Sequence, residues 1–228
     1  MISIQDLSIS FSKSKVIDNI SADFPLNRIY GIIGLNGAGK TTLFNCLSGI
    51  LKPDAGQVTI NNQPLSQKDI AYLETTNFFY SRITGNEYLN IFRATNKNFN
   101  LQALQSLLQL PLDDLIETYS TGMKKKLALL AALKQEKSIF LLDEPFNGLD
   151  MGTNKMLETT INILKQKGKT IFLSSHILEP LLTVCDSIYL LEKGTFSRTF
   201  SKDEFNRIED ELFKKIKEDT QRVVTESV

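Results

Sequence analysis

The chain is poor in the residues that build disulfide frameworks and thiolate metal centres. Its 228 residues hold two cysteines, Cys46 and Cys185, each inside an apolar helical pattern and without metal-ligand spacing. Both read as buried free thiols of a reducing compartment, which points to the cytosol. Net charge is absent as well: Lys plus Arg number 26 against 26 Asp plus Glu, so no global field recruits nucleic acid or anionic lipid, and no nucleic-acid partner is expected. No run approaches the roughly 18 to 20 apolar residues of a membrane span. The start, MISIQDLSIS, has neither a basic n-region nor an apolar h-region, so no leader is expected. Internal repeats and low-complexity linkers are missing too, and His176 is the only histidine.

What is present is strand–helix alternation. Ile2, Ile4, Leu7, Ile9 and Phe11, followed by Val16, Ile17, Ile20 and Phe24, read as a β-ribbon. Residues 29–33 read as a buried strand and 41–49 as the helix after it. A turn cluster at Pro53-Asp54-Ala55-Gly56 precedes a short strand at 57–60, which ends at an Asn61-Asn62 turn, and 70–73 is a further strand. From 84 to 133 the period becomes helical. Strands at 139–142, 170–173 and 187–191 then alternate with helices near 151–166 and 177–185. Such alternation predicts a mostly parallel sheet covered by helices, interrupted by a helical block at about 78–135. A C-terminal helix at about 202–218 places Phe205, Ile208, Leu212 and Ile216 on one docking face. The whole reads as a single domain, 1–228.

The run Gly34-Leu35-Asn36-Gly37-Ala38-Gly39-Lys40-Thr41-Thr42 carries the most information. It fits the phosphate-cradling pattern G-x-x-x-x-G-K-[ST], follows a predicted strand and precedes a predicted helix. Glycines let the backbone wrap an anion, while successive N–H groups and the helix start aim positive dipole at it. Lys40 adds a charge able to reach β- and γ-phosphates, and the Thr41 hydroxyl is placed to ligate Mg²⁺. A nucleoside triphosphate is the expected ligand.

Two further strand ends carry chemistry. Ile139-Phe140-Leu141-Leu142 ends in Asp143 and Glu144, with Pro145 closing the strand by withdrawing an N–H donor. Ligands of open α/β sheets collect beyond such carboxyl ends. Neighbouring strand residues point opposite ways, so the two acids are expected to divide the work: Asp143 holds Mg²⁺ and Glu144 polarises the attacking water. His176 follows the strand Thr170-Ile171-Phe172-Leu173 and is a candidate sensor of the γ-phosphate.

In this order the pieces resemble the ATP-binding subunit of an ABC transporter over about residues 2–200. The resemblance implies a P-loop NTPase (RecA-like) core with an N-terminal antiparallel β subdomain and an inserted helical subdomain. Gly34 to Thr42 is similar to the Walker A loop, 139–144 to Walker B with its catalytic glutamate, Asn147-Gly148-Leu149-Asp150 to the D-loop, and His176 to the switch histidine. Tyr119-Ser120-Thr121-Gly122-Met123 stands in the place of the signature Leu-Ser-Gly-Gly-Gln, keeping Ser120 and Gly122. In the family that segment serves the ATP of the opposite subunit, which implies a head-to-tail dimer of ATPase subunits with ATP and Mg²⁺ at the interface. By itself, Ser-Thr-Gly before a helix is an ordinary N-cap, and Lys124, Lys125 and Lys126 are either a solvated face or a source of field on the phosphate.

The match departs at two places. Phe11 lies where the family carries an adenine-stacking aromatic, and it is either that or core. The Q-loop glutamine is missing: Thr75 stands at its position and is short for that reach, leaving the adjacent Glu74 as the candidate Mg²⁺ or water contact. The resemblance further implies a separate transmembrane subunit whose coupling helix enters a groove near 74–82, a location on the cytoplasmic face of the membrane, and transport by export in preference to import. The alternatives are a soluble ABC-type ATPase of a non-transport complex, a small-molecule kinase and a regulatory module without turnover. The first usually bears coiled-coil insertions or paired cassettes, which this chain lacks.

Overall fold

The computed structural model describes residues 1–12, 14–92, 99–212, 221 and 224–225. Two sheets organise them. β1 (Ile2–Phe11), β2 (Ser14–Phe24), β4 (Ala55–Ile60) and β5 (Gln63–Pro64) form an antiparallel sheet in the order β2-β1-β4-β5. The second sheet runs β10-β9-β3-β8-β7-β6, with β3 (Ile29–Ile33), β6 (Ile70–Leu73), β7 (Ile139–Asp143), β8 (Thr170–Ser175) and β9 (Ser187–Glu192) all parallel.

The β-ribbon shows how its apolar spacing is satisfied. Ile4 and Leu7 are three residues apart, so in an unbroken strand they would face opposite ways. A register shift between them, with Asp6 at φ 49°, brings both into the core. Asn19, at φ 53°, sits similarly between the buried Ile17 and Ile20. At the expected Asn61-Asn62 turn both residues take positive φ, the geometry of a two-residue hairpin matched to strand twist. Two strands have no counterpart in the sequence reading: the two-residue β5, and β10 (Thr195–Ser201), which pairs antiparallel with β9 around the tight Lys193-Gly194 turn.

Helices fill both faces of the parallel sheet. α1 (Lys40–Leu47) buries Leu43 and Phe44 between the two sheets, in a core where Phe24 meets Tyr30 and Phe172 at ring-centroid distances of 5.0 Å. On the opposite face α5 (Met151–Gln166) and α6 (Glu179–Val184) cover Phe140, Ile171 and Leu173. Cys46 and Cys185 are buried free thiols, and burial pushes the Cys46 thiol up to about 11.

The helical block consists of α2 (Gly85–Ile91), α3 (Leu101–Leu108) and α4 (Thr121–Lys134), packed around Leu89, Leu127 and Leu130. Ile91 and Leu107, which share the apolar pattern, are nevertheless exposed. The chain is helical again at 205–212, where Phe205 and Ile208 dock into the main core and Leu212 packs against it. Ile216 and the remainder of the expected helix lie outside the described residues.

Phe140 is fully buried on β7, between β8 and β6. Phe140→Ala is therefore expected to cost about 3–5 kcal/mol in urea unfolding. A loss below about 1 kcal/mol would contradict this packing.

Candidate active site

The parallel register determines where the chemistry sits. β8 lies between β3 and β7, pairing Ile33 with Ser175 and Asp143 with Ser174, so the three strands end level. The next residues, Gly34, Glu144 and His176, leave the sheet along the same edge.

The loop after β3 is shaped by close approaches. A Cβ on Gly34 would lie 2.5 Å from the Leu191 carbonyl oxygen, and one on Gly39 would lie 2.9 Å from Ile17 Cδ1 in a residue already at φ 104°. Gly39 opens α1 with no side-chain cap, and the first turn contains no acid, so side chains leave the helix's positive end unclaimed. Lys40 is buried: its Nζ donates to the Gly34 carbonyl at 2.7 Å and faces Glu144 Oε1 at 3.4 Å. The loop borders a cavity of about 340 Å³ whose wall includes Phe11, Asn36, Gly37, Thr42, Thr75 and Glu144. Phe11, 49% exposed, belongs to this wall and not to the core. Leu35 points outward, its carbonyl accepting from the Ala38 N–H.

Asp143 is fully buried with both oxygens occupied. Thr41 Oγ1 donates to Oδ2 at 2.7 Å and the Ser174 hydroxyl donates to Oδ1. Glu144 departs from the expected strand parity. Its φ of 50° takes it out of the β region, so its carboxylate turns to Lys40 and to His176 Nδ1, 2.9 Å from Oε2. Asp143 and Glu144 thus reach adjacent residues of the same helix turn instead of opposite faces.

Other expected residues lie elsewhere. Ser120 caps α4 by accepting from the Met123 N–H at 3.2 Å, and a Cβ on Gly122 would meet only Ser120 Oγ, at 4.0 Å; neither lines the cavity. Asp150 caps α5, where the Thr153 hydroxyl and N–H hold its carboxyl below the usual range. Glu74 is exposed and stands outside the cavity wall, which Thr75, one residue further on, lines. Among the described residues no cluster of three or more His, Cys, Asp or Glu forms a ready metal cage.

Lys125, the middle of three consecutive lysines, is buried, with Nζ donating to the Glu144 carbonyl at 2.6 Å and the Asn147 carbonyl at 2.8 Å. The available signal was helical: Lys125 stands three and four residues before Ala128 and Leu129, on the inward face.

The family model described as "ABC transporter" matches residues 17–147. The chain belongs to the ABC transporter family. It is similar to the bacitracin transport ATP-binding protein BcrA of Bacillus licheniformis, at 32% identity over 85% of this chain and 67% of that protein. Among curated relatives of this family the matched region spans between 56% and 84% of their own length. A solved ATP-binding subunit of an ABC transporter superposes with TM-score 0.82 at 28% identity, covering 93% of this chain and 94% of that one. The cassette MJ0796, solved as a dimer in a post-hydrolysis state bound to ADP and Pi, gives TM-score 0.78 at 19% identity, covering 89% and 99%. The last is a likeness of fold, the P-loop NTPase fold of ABC cassettes.

A charge-assisted bond from a buried ammonium contributes about 1.5–3 kcal/mol. Lys40→Ala is therefore expected to weaken triphosphate binding about ten- to hundredfold, read by fluorescent-nucleotide titration. An unchanged affinity would remove the loop from phosphate binding.

Proposed function

We propose that this chain is the ATP-binding and ATP-hydrolysing subunit that powers transport by a separate membrane-spanning ABC transporter subunit, with export as its direction. The observation that carries the reading is the convergence of Lys40, Thr41, Asp143, Glu144 and His176 on one sheet edge beside an uncapped helix start.

Phosphoryl transfer asks a protein mainly for position and charge stabilisation. Loop amides at the start of α1 and Lys40 supply both for the β- and γ-phosphates. Phe11 offers an exposed ring at the cavity rim for the base. Glu144, steadied by His176, takes the proton of the attacking water. The pair of hard oxygens joined in the Thr41–Asp143 hydrogen bond fits Mg²⁺, which when bound neutralises phosphate charge. Those two side chains are the ones that would hold it.

Ser120 and Gly122 present a capped but accessible helix start away from the chain's own phosphate loop. That placement supports a head-to-tail dimer in which each subunit's α4 start completes the site of the other, and MJ0796 was itself solved as a dimer. Between the sheet core and the helical block, Phe78 and Tyr80 stand 72% and 57% exposed. They offer an apolar seat for a segment of the membrane subunit. No described helix is long and apolar enough to cross a membrane, which fits attachment to the cytoplasmic face through that partner. The likeness to a bacitracin transport protein supports transport of a peptide-like cargo.

Glu144→Gln is expected to keep ATP binding and to slow turnover at least about a hundredfold; unchanged turnover would take the base role from Glu144. Adding Ser120→Arg to that variant is expected to abolish its ATP-dependent dimer in size-exclusion chromatography while leaving ATP affinity intact. A dimer that persists would place the signature segment away from the interface.

A further inference from the structure

Glu144 keeps a backbone conformation that a residue with a side chain rarely adopts, at a cost its surroundings must offset. On one side its N–H donates to the Ser174 carbonyl and hydroxyl oxygens, at 3.2 and 3.0 Å. On the other its carbonyl accepts from the Asn147 N–H at 3.2 Å and from Lys125 Nζ at 2.6 Å, and the same ammonium reaches the Asn147 carbonyl at 2.8 Å. Lys125 thus grips both ends of the turn that sets the direction of the Glu144 carboxylate.

Packing alone gives no reason for a lysine here. Burying an ammonium is costly; the nearby Glu144 and Asp143 carboxylates offset part of that cost, but both its hydrogen-bond partners are neutral carbonyls, and an apolar side chain of similar length would fill the space. What the ammonium adds is a pair of charge-assisted bonds to two specific backbone oxygens. It also links two parts of the molecule, because Lys125 sits on the second turn of α4, five residues after Ser120.

We infer that Lys125 is a positioning residue for Glu144, tying the Ser120 end of α4 to the turn that aims the carboxylate. This rests on the reading of Glu144 as the hydrolytic base.

The test uses the full chain, with ATP turnover and fluorescent-nucleotide affinity measured for wild type, Lys125→Met, Glu144→Gln and the double variant. Lys125→Met is expected to reduce kcat about tenfold or more with affinity within about twofold, and to have less than about a twofold further effect once Glu144 is glutamine. Full turnover in Lys125→Met, or an equal fall in both backgrounds, overturns the inference. Lys125→Gln covers the case in which the methionine variant does not fold: lowered kcat at unchanged affinity is expected, and wild-type kcat overturns the inference. A wild type without turnover, or a Glu144→Gln variant with normal turnover, would instead overturn the proposed function.

Discussion

Level termination of β3, β8 and β7 is the constraint on which the rest of the molecule depends. Parallel pairing with Ile33 opposite Ser175 and Asp143 opposite Ser174 delivers the phosphate loop, the acid pair and the histidine to one edge, although the helical block lies between the first two in the chain. A slip of one residue in β7 would turn Asp143 away from Thr41 and put Leu142 in its place. The buried aromatic and aliphatic layers on both faces of the sheet hold that register, so the core acts on function through alignment.

Within the site the groups bind one another. Lys40 donates to the loop carbonyl and faces Glu144, Glu144 meets His176, and Thr41 donates to Asp143. These contacts keep the buried charges compensated. On the proposed reading each stands in for a phosphate or metal contact, and an incoming phosphate exchanges places with protein groups already in position, which keeps the reorganisation small.

Much of this was legible in the chain. The glycine-rich run before an apolar helix, the acids ending a four-residue apolar strand and the histidine ending another each carry a local physical reason, and the structure brings them together. What was not legible depends on backbone detail or on distant neighbours. Strand alternation put Asp143 and Glu144 on opposite sides, but a single positive φ at Glu144 overrides it. Among three consecutive lysines only helical spacing marks Lys125 as inward-facing, and what it bonds, the carbonyls of a turn some twenty positions away, has no local sign. Glu74 looked the better ligand by charge, yet the chain leaving β6 turns Thr75 toward the cavity. β10 escaped notice because its outward face is mixed and only the two-residue turn at Lys193-Gly194 marks it.

A crystal structure of the chain soaked with Mg²⁺ and a non-hydrolysable ATP analogue tests the central claim most directly. The triphosphate is expected inside the Gly34 to Thr42 loop, with the Lys40 ammonium moved from the Gly34 carbonyl and Glu144 onto the phosphates. A loop left without nucleotide at saturating concentration, with Lys40 still bonded to Gly34, would contradict it.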